Sequence, residues 1–284
     1  MGSSRTLWPI VCLMTIVMSG CGPRYSIAPE PPLLSASLKD LLDRLDHRTQ
    51  SIQTLKALLT IRSERQAAVT SSLFYSRSPE GAPPSLRVKG FDSFGRTLFD
   101  LIWSNDRVLL TIPGQGRVLE SGPDKREGPS LPAEFGLEAA ELRQAVSAMV
   151  GPFVESGEIP VLEQVGPNYL IHLIRVSGGG GRLTKRLWIE RSRLRLIREE
   201  IFERAGSTEG PDSAAVSEEE ATVVEFLDYQ PRSVPAGAEI DWPDRLVIIK
   251  IKPRAGTGEE SRLELKFIEV QPNAVISPEE FRIP

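Results

Sequence analysis

The chain has little of what enzymes and metalloproteins use for their chemistry. It contains two cysteines and two histidines in 284 residues, and these form no cluster at the spacing of metal ligands. It also lacks a Gly-x-Ser-x-Gly nucleophile motif and a glycine-rich phosphate loop that ends in Lys-Ser or Lys-Thr. The sequence therefore predicts a protein that is not an enzyme and that needs no cofactor.

An excess of positive charge is also missing. The chain has 34 basic and 38 acidic side chains, which gives a formal net charge of −4, and this balance disfavours a nucleic-acid partner. The histidines suggest no metal site. Asp43 and His47 stand four residues apart on a predicted, solvated helix face, and His172 stands among apolar residues as a structural histidine.

The N-terminus predicts a bacterial lipoprotein. Arg5 precedes an apolar stretch of about eleven residues at 7–17, which is typical of a secretory signal peptide and short of the roughly 20 residues of a transmembrane helix. Residues 18–21, Met-Ser-Gly-Cys, resemble the lipobox of bacterial lipoproteins. This resemblance implies cleavage after residue 20 and acylation of Cys21. An ordinary secretory signal that happens to abut a cysteine is the alternative.

The other cysteine lies in the predicted signal peptide, so the mature chain would contain no disulfide. Each buried methylene of an acyl chain contributes roughly 0.8 kcal/mol, so two or three chains on Cys21 would hold firmly. In Gram-negative lipoproteins an aspartate after the cysteine usually retains the protein in the inner membrane. Gly22 stands at that position here, so we expect anchoring in the outer membrane with the domain facing the periplasm.

Composition divides the mature chain into a tether and one domain. Residues 21–36 are rich in proline and poor in large apolar groups, which is typical of an extended tether. Residues 37–284 predict the folded domain. Within that domain, residues 205–220 end in three glutamates and predict a disordered acidic insertion.

Periodicity predicts a mainly β domain of the α+β class. Helical spacing of apolar residues predicts a helix over about 38–53 and a second that stops at Gly151. Alternation predicts strands between about 55 and 121 and between about 160 and 270. Ten strands at about 4.8 Å would be roughly 50 Å wide, and two helices cover only about 20 Å of that. We therefore expect a curled antiparallel sheet, a half-open β-barrel of about 11 strands wrapped over two or more helices, with an apolar interior.

Two local stretches resemble the LolA carrier and LolB receptor family of bacterial lipoprotein transport. Leu86-Arg87-Val88 followed by 92–98, Asp-Ser-Phe-Gly-Arg-Thr-Leu, resembles the receptor's strand, hairpin tip and strand. Leu142-Arg143-Gln144 followed by Gly151-Pro152 resembles its central helix. The order of elements agrees with the family from about residue 38 to 284. The resemblance implies a half-barrel that carries acyl chains and an exposed apolar residue at the tip.

That resemblance assigns candidate site residues. Phe94 would be the membrane-insertion residue of the transfer loop, and the alternative is that its ring folds back into the core. An acyl-chain cavity would be lined by apolar residues for which core packing is the alternative: Phe99, Leu101, Trp103 and Met149.

The sequence thus favours a LolB-like receptor that binds acyl chains of lipoproteins or lipids and assists their insertion into the outer membrane. Its expected partners are the outer membrane, reached through the lipid anchor, the acyl chains, and a periplasmic lipoprotein carrier. The alternative is a structural or assembly lipoprotein of an envelope complex, in which the same domain has a filled core and binds through its surface.

Overall fold

The computed structural model describes residues 31–64, 67–77, 84–104, 107–121, 139–177, 180–204, 219–234, 239–252 and 259–283. The predicted signal peptide, Cys21 and all but the last two residues of the acidic insertion lie outside these ranges. None of the helices described is long and apolar enough to cross a membrane.

The first helix, α1, spans Leu38–Gln50 and begins at a capping box. The Ser37 hydroxyl accepts a hydrogen bond from the backbone N–H of Asp40, and the Asp40 carboxylate accepts one from the backbone N–H of Ser37. The helix buries Leu41 and Leu45. It ends three residues before the predicted end at 53, because Ser51 and Ile52 already turn into the first strand.

Thirteen strands form one antiparallel sheet in the described residues. Their bounds are β1 Thr54–Ser63, β2 Val69–Ser76, β3 Ser85–Phe91, β4 Thr97–Ser104, β5 Arg107–Ile112, β6 Arg117–Ser121, β7 Glu158–Val165, β8 Asn168–Ser177, β9 Gly180–Glu190, β10 Arg195–Arg204, β11 Glu219–Ser233, β12 Glu239–Lys252 and β13 Glu259–Pro272. The order across the sheet is β6-β5-β4-β3-β2-β1-β13-β12-β11-β10-β9-β8-β7, so β6 and β7 are unpaired edges and the sheet is open.

The mainly β, antiparallel and open architecture confirms the predicted class, with thirteen strands in the described residues where about 11 were expected. Every alternating segment pairs into the sheet, including the largely exposed edge strands β6 and β7. Strand β11 begins at Glu219, so the last two residues of the predicted acidic insertion are paired with β10.

The core lies on one face of this sheet. Alternate residues of the strands are buried there together with α1 and the second helix, α2, which spans Ala139–Val150. In α2, Leu142, Ala145 and Met149 are almost completely buried. Helix α2 ends at Val150 and Gly151 follows, at a position that requires glycine because a Cβ there would lie 2.4 Å from the carbonyl oxygen of Ser147. The predicted helix stop is confirmed.

The sheet is strongly curved. Tyr75 of β2 and Lys185 of β9 line the same cleft beside α2, although six strand steps separate β2 from β9 in the sheet. Six steps at about 4.8 Å would be about 29 Å in a flat sheet. Both strands can border one cleft of about 360 Å³ only because the sheet curls around α2.

A short C-terminal 3₁₀ turn, Pro278–Phe281, covers part of the opposite face. Arg87 of β3 makes a two-pronged contact with Asp100 of β4, at 2.9 and 2.6 Å, and its Nη1 reaches Glu280 of the turn at 2.9 Å. Phe281 is buried. The outer side of β3 and β4 is therefore held by ion pairs and a covered ring.

The last residues of the predicted tether are docked onto the compact unit that spans Leu33–Pro284. The Leu34 N–H donates to the carbonyl oxygen of Arg191 at 3.0 Å, and the Ala36 N–H donates to the phenol oxygen of Tyr169 at 2.9 Å. The Tyr169 hydroxyl in turn donates to the Leu34 carbonyl at 3.2 Å. The chain is thus fixed to the β8 and β9 region from Leu34 onward.

Candidate functional site

Phe94 stands at the tip of the β3–β4 hairpin with its side chain in solvent. Its relative exposure is 84%, so the alternative that its ring packs into the core is excluded. Gly95 follows with φ of +79°, a conformation that glycine adopts without strain. The local sequence therefore builds a tight turn that presents an aromatic ring without burying it.

The tip is held rigid by Asp92. One carboxylate oxygen, Oδ1, accepts hydrogen bonds from the backbone N–H groups of Phe94 and Arg96, each at 2.9 Å. The other, Oδ2, accepts from Arg96 Nε at 2.6 Å. These bonds, first of all that from the Arg96 N–H, lower the pKa of Asp92. The carboxylate thus stays charged and keeps the turn closed at neutral pH.

A cation accompanies the exposed ring. The guanidinium of Arg96 lies 5.7 Å from the centroid of the Phe94 ring, and its side chain is 78% exposed. An apolar ring beside a long basic side chain suits a membrane surface, since the ring can enter the acyl region while the guanidinium stays among the headgroups.

The four residues predicted to line an acyl-chain cavity are packed in the core. Phe99, Leu101 and Met149 have no exposure and Trp103 has 8%. None of them lines either of the two clefts described below. Phe99 packs tightly against the backbone, because a Cβ placed on Gly90 would lie 2.3 Å from its ring.

The larger cleft, about 360 Å³, lies between α2, the end of β2, and strands β9 and β10. Its volume is within the range of about 300–1,000 Å³ that is typical of small-molecule sites. Part of its wall is apolar: Tyr75, Pro84, Ala148, Val150 and Ile201. Tyr75, Ala148 and Val150 are buried, so a chain of methylene groups would lie against Pro84 and Ile201.

Three cations stand on the polar side of this cleft: Arg77, Arg143 and Lys185. Arg143 lies 4.5 Å from the centroid of the Trp103 ring. Lys185 is bound by Glu155 at 3.2 Å. Among the described residues, no carboxylate lies within ion-pair distance of Arg77 or Arg143. In the described part of the chain, the cations of this cleft therefore outnumber the carboxylates that pair with them.

Glu199 also lines the cleft and is buried, with 3% relative exposure. Its Oε2 has no hydrogen-bond partner among the described residues. Burial raises the pKa of Glu199 to about 7, although Lys185 of β9 and Arg48 of α1 oppose that shift; Glu155 and Glu158 add to it. The carboxyl group is therefore divided between its neutral and charged forms at neutral pH.

A smaller cleft, about 190 Å³, lies between α1 and strands β10 to β12. It is crossed by the ion pair of Arg195 and Asp241, with distances of 2.8 and 2.7 Å.

Neither histidine belongs to a metal-binding cluster in the part of the chain that the structure describes. His47 borders this smaller cleft, and His172 Nε2 lies 3.0 Å from Glu163.

The fold and site thus define a mainly β protein with an open antiparallel sheet curled around a helix, a cleft beside that helix, and a rigid aromatic hairpin tip. Neither a protein-family model nor a curated protein matches the sequence. Solved structures do resemble the chain, and one of them is a LolA superfamily protein from Nitrosomonas europaea. It is 9% identical, the match covers 88% of this chain and 99% of that one, and the TM-score is 0.47.

Two further structures match with lower scores. An uncharacterised conserved protein from Thermus thermophilus is 12% identical, with coverage of 88% and 95% and a TM-score of 0.29. A chain of the MucA/MucB complex of Pseudomonas aeruginosa is 10% identical, with coverage of 83% and 100% and a TM-score of 0.23. At these TM-scores none of the structures defines what this chain binds.

Proposed function

We propose that this chain is an outer-membrane-anchored, periplasm-facing lipoprotein that binds acyl chains of lipoproteins or lipids and assists their insertion into the membrane. Lipidated Cys21 would hold it at the bilayer. The observation that carries the proposal is Phe94, an 84% exposed ring on a turn that Asp92 fixes. The ring buries little surface in the folded chain, whereas insertion into a membrane would bury it.

The energy of this contact is sufficient for the role. A Phe side chain that leaves water for an apolar phase gains about 1.5–3 kcal/mol. This corresponds to a factor of about 10 to 150 in the membrane-bound population. A domain that is already tethered close to the bilayer needs no stronger free-energy preference to place its hairpin tip in the membrane.

The transfer itself requires no energy source. An acyl chain that passes from a carrier to this domain and then to a bilayer exchanges one apolar environment for another, so the roughly 0.8 kcal/mol per methylene nearly cancels at each step. The cleft beside α2 is a place where a chain could lie against apolar side chains. Tighter binding of the acyl chain by the acceptor sets the direction of transfer.

The test is delivery of an acylated cargo to liposomes by the Phe94→Glu variant. We expect delivery to fall at least about tenfold, because a carboxylate replaces the ring that enters the membrane. Melting temperature and acyl-chain binding should be near those of wild type, because Phe94 makes little packing contact. Ser93→Glu is the matched control: it adds the same charge to the exposed tip but keeps the ring, and it should retain most delivery.

A structural or assembly lipoprotein is the second candidate, and the packed core favours it. Phe99, Leu101 and Met149 fill the space in which a cavity was expected. This candidate predicts that no acyl chain binds. Native mass spectrometry of the full chain carrying Cys21→Ser, after gentle purification and after addition of a fatty acid, separates the two. Consistent absence of bound chains would reject the transfer function and favour the structural one.

A further inference from the structure

The cleft beside α2 combines an apolar wall with a charged end, and a cavity that stored only an acyl chain would not need the second feature. Arg77, Arg143 and Lys185 approach it from three different parts of the fold: the end of β2, α2 and β9. Lys185 is only 12% exposed. Lys185 is paired with Glu155, Arg143 stands at the exposed rim, and Arg77 donates to two helix carbonyls. The cleft therefore presents cationic groups to a ligand that enters it.

Two polar atoms at this end have no partner among the described residues. One is Nε of Arg77, whose Nη2 is occupied by backbone carbonyls. The other is Oε2 of Glu199, which is buried. Buried polar atoms are nearly always hydrogen-bonded in folded proteins. Both side chains line the cleft, so its polar end has hydrogen-bonding groups that the described residues leave unused.

The charged side chains around the cleft determine the sign of the charge that a ligand there should carry. When Glu199 is neutral, three cations face one carboxylate, that of Glu155, and Glu155 is already shared between Lys185 and Arg175. Burial alone would raise the pKa of Glu155, but these two cations outweigh it and lower that pKa. Glu155 is therefore ionised and already bound, which leaves Arg77 and Arg143 without a carboxylate partner among the described residues.

We propose that this cleft binds the anionic phosphate head of a single-chain amphiphile, with Arg143 and Arg77 on the phosphate oxygens and the alkyl chain along Pro84 and Ile201. This deepens the proposed function and rests on it, since it names the headgroup that accompanies the acyl chain. Charge-assisted hydrogen bonds from guanidinium to phosphate are the strongest that a protein of this composition can offer.

Glu199 sets the pH range of this binding. Its neutral form donates a hydrogen bond to the phosphate, and its charged form repels it. Lys185, Arg48, Glu155 and Glu158 are the charged groups that act on it, and Arg143 faces the same cleft. Affinity for the amphiphile should therefore fall as the pH rises from about 6 to about 8. In Glu199→Gln, whose amide also donates, this fall should be absent.

The probe is lysophosphatidylglycerol, a phosphodiester whose charge is constant over this pH range, measured by calorimetry on the full chain carrying Cys21→Ser. The comparison ligands are a monoacylglycerol of the same chain length and inorganic phosphate. At about pH 6 we expect the lysophospholipid to bind at least about tenfold more tightly than the monoacylglycerol. Arg143→Gln should remove that preference without weakening monoacylglycerol binding, and Arg143→Lys should retain most of it. The exposed Arg107→Gln is the matched control.

Each outcome decides between specific alternatives. Equal binding of the charged and neutral amphiphiles would overturn the headgroup site and leave acyl-chain binding intact. Failure of both to bind to a chain with a wild-type melting curve would overturn the proposed function as well. Binding of inorganic phosphate as tight as that of the lysophospholipid would overturn the amphiphile and assign the cleft to a free anion.

Discussion

Arg77 donates a hydrogen bond from Nη2 to the carbonyl oxygen of Val150, the last residue of α2, at 2.7 Å. The same nitrogen donates to the carbonyl of Thr49 near the end of α1, at 2.9 Å. One side chain that follows β2 thus satisfies carbonyls at the C-termini of both helices, where the helix dipoles favour a cation. It joins the two helices to the sheet at one point.

Loss of this contact should destabilise the domain. Arg77→Met keeps much of the apolar stem but removes both hydrogen bonds, and we expect the free energy of unfolding to fall by about 2–4 kcal/mol, since bonds to charged groups contribute roughly 1.5–3 kcal/mol each. Urea denaturation measures this. Arg107→Met, which removes an exposed ion pair with Glu120, should change stability by less than about 1 kcal/mol. Equal effects of the two variants would contradict the helix-joining role.

Gly90 of β3 should tolerate no side chain while Phe99 lies beside it. A Cβ there would lie 2.3 Å from the Phe99 ring, and Gly90→Ala should therefore cost about 1–3 kcal/mol of stability through overpacking. Phe99→Leu in the same chain should recover part of the loss. Thermal unfolding of the single and double variants measures the coupling. Gly114→Ala, at a position with open space around it, is the control and should leave the melting temperature nearly unchanged.

The rigidity of the hairpin tip should depend on Asp92. In Asp92→Ala the N–H groups of Phe94 and Arg96 lose their acceptor, and their amide hydrogen exchange should accelerate while global stability changes little. Delivery to liposomes should fall, because the ring is no longer held outward. Asp92→Asn keeps an acceptor oxygen and should retain slow exchange. Unchanged exchange in Asp92→Ala would show that the turn closes without the carboxylate.

Glu199 should make stability depend on pH. Its pKa in the folded chain is about 7, above the value of 4.5 for a free carboxyl. The folded state therefore keeps a proton that the unfolded state releases, so stability should fall as the pH rises from about 4.5 to 7 and then level off. Above about pH 7, Glu199→Gln should be more stable than wild type by roughly 3 kcal/mol, and near pH 4.5 the two should be equal. Urea titrations at about pH 4.5, 6 and 8 test this, with the exposed Glu260→Gln expected to follow wild type.

Cys21 should carry the acyl chains. Cys21→Ser should abolish labelling by radioactive palmitate and leave the protein soluble or poorly processed, because no other cysteine remains in the mature chain. Gly22→Asp should move the labelled protein toward the inner membrane where the host follows the usual sorting rule. Labelling that persists in Cys21→Ser would place the acyl chains elsewhere.

The helix ends and the hairpin turn could be predicted from the sequence because each depends on residues that lie close together in the chain. The start of α1 depends on Ser37 and Asp40, three residues apart, and the end of α2 depends on Gly151. The neighbours Ser93 and Gly95 indicated an exposed position for Phe94, with packing of its ring into the core as the open alternative. In each case the physical reason is contained within one turn of chain.

The charged cleft was missed because its key residue depends on a β-bulge. Regular alternation from the buried Leu196 would place Arg198 and Glu200 on the inner face. The register against β9 shifts between Leu196 and Arg198, so that Leu196 pairs with Ile189 and Glu199 with Leu187, both of which are core residues. A run of charges in β10 gives no sign of this shift. Likewise, alternation places Trp103 and Phe99 on the inner face but cannot say whether that face borders a cavity or other side chains.

The docking of Leu34 and Ala36 against Tyr169 and Arg191 limits how the protein can approach a bilayer. Tyr169 and Arg191 lie near the start of β8 and the end of β9, and the antiparallel register puts the Phe94 hairpin at the opposite ends of the strands. About thirteen residue steps separate Cys21 from Leu34, a contour length of at most about 45 Å. The longer strands, such as the 14 residues of β12, are themselves about 46 Å long. If Cys21 carries the acyl chains as proposed, Phe94 can reach the same membrane only when the tether is nearly fully extended or the domain lies along the bilayer, and each residue removed from the tether shortens its reach by about 3.5 Å.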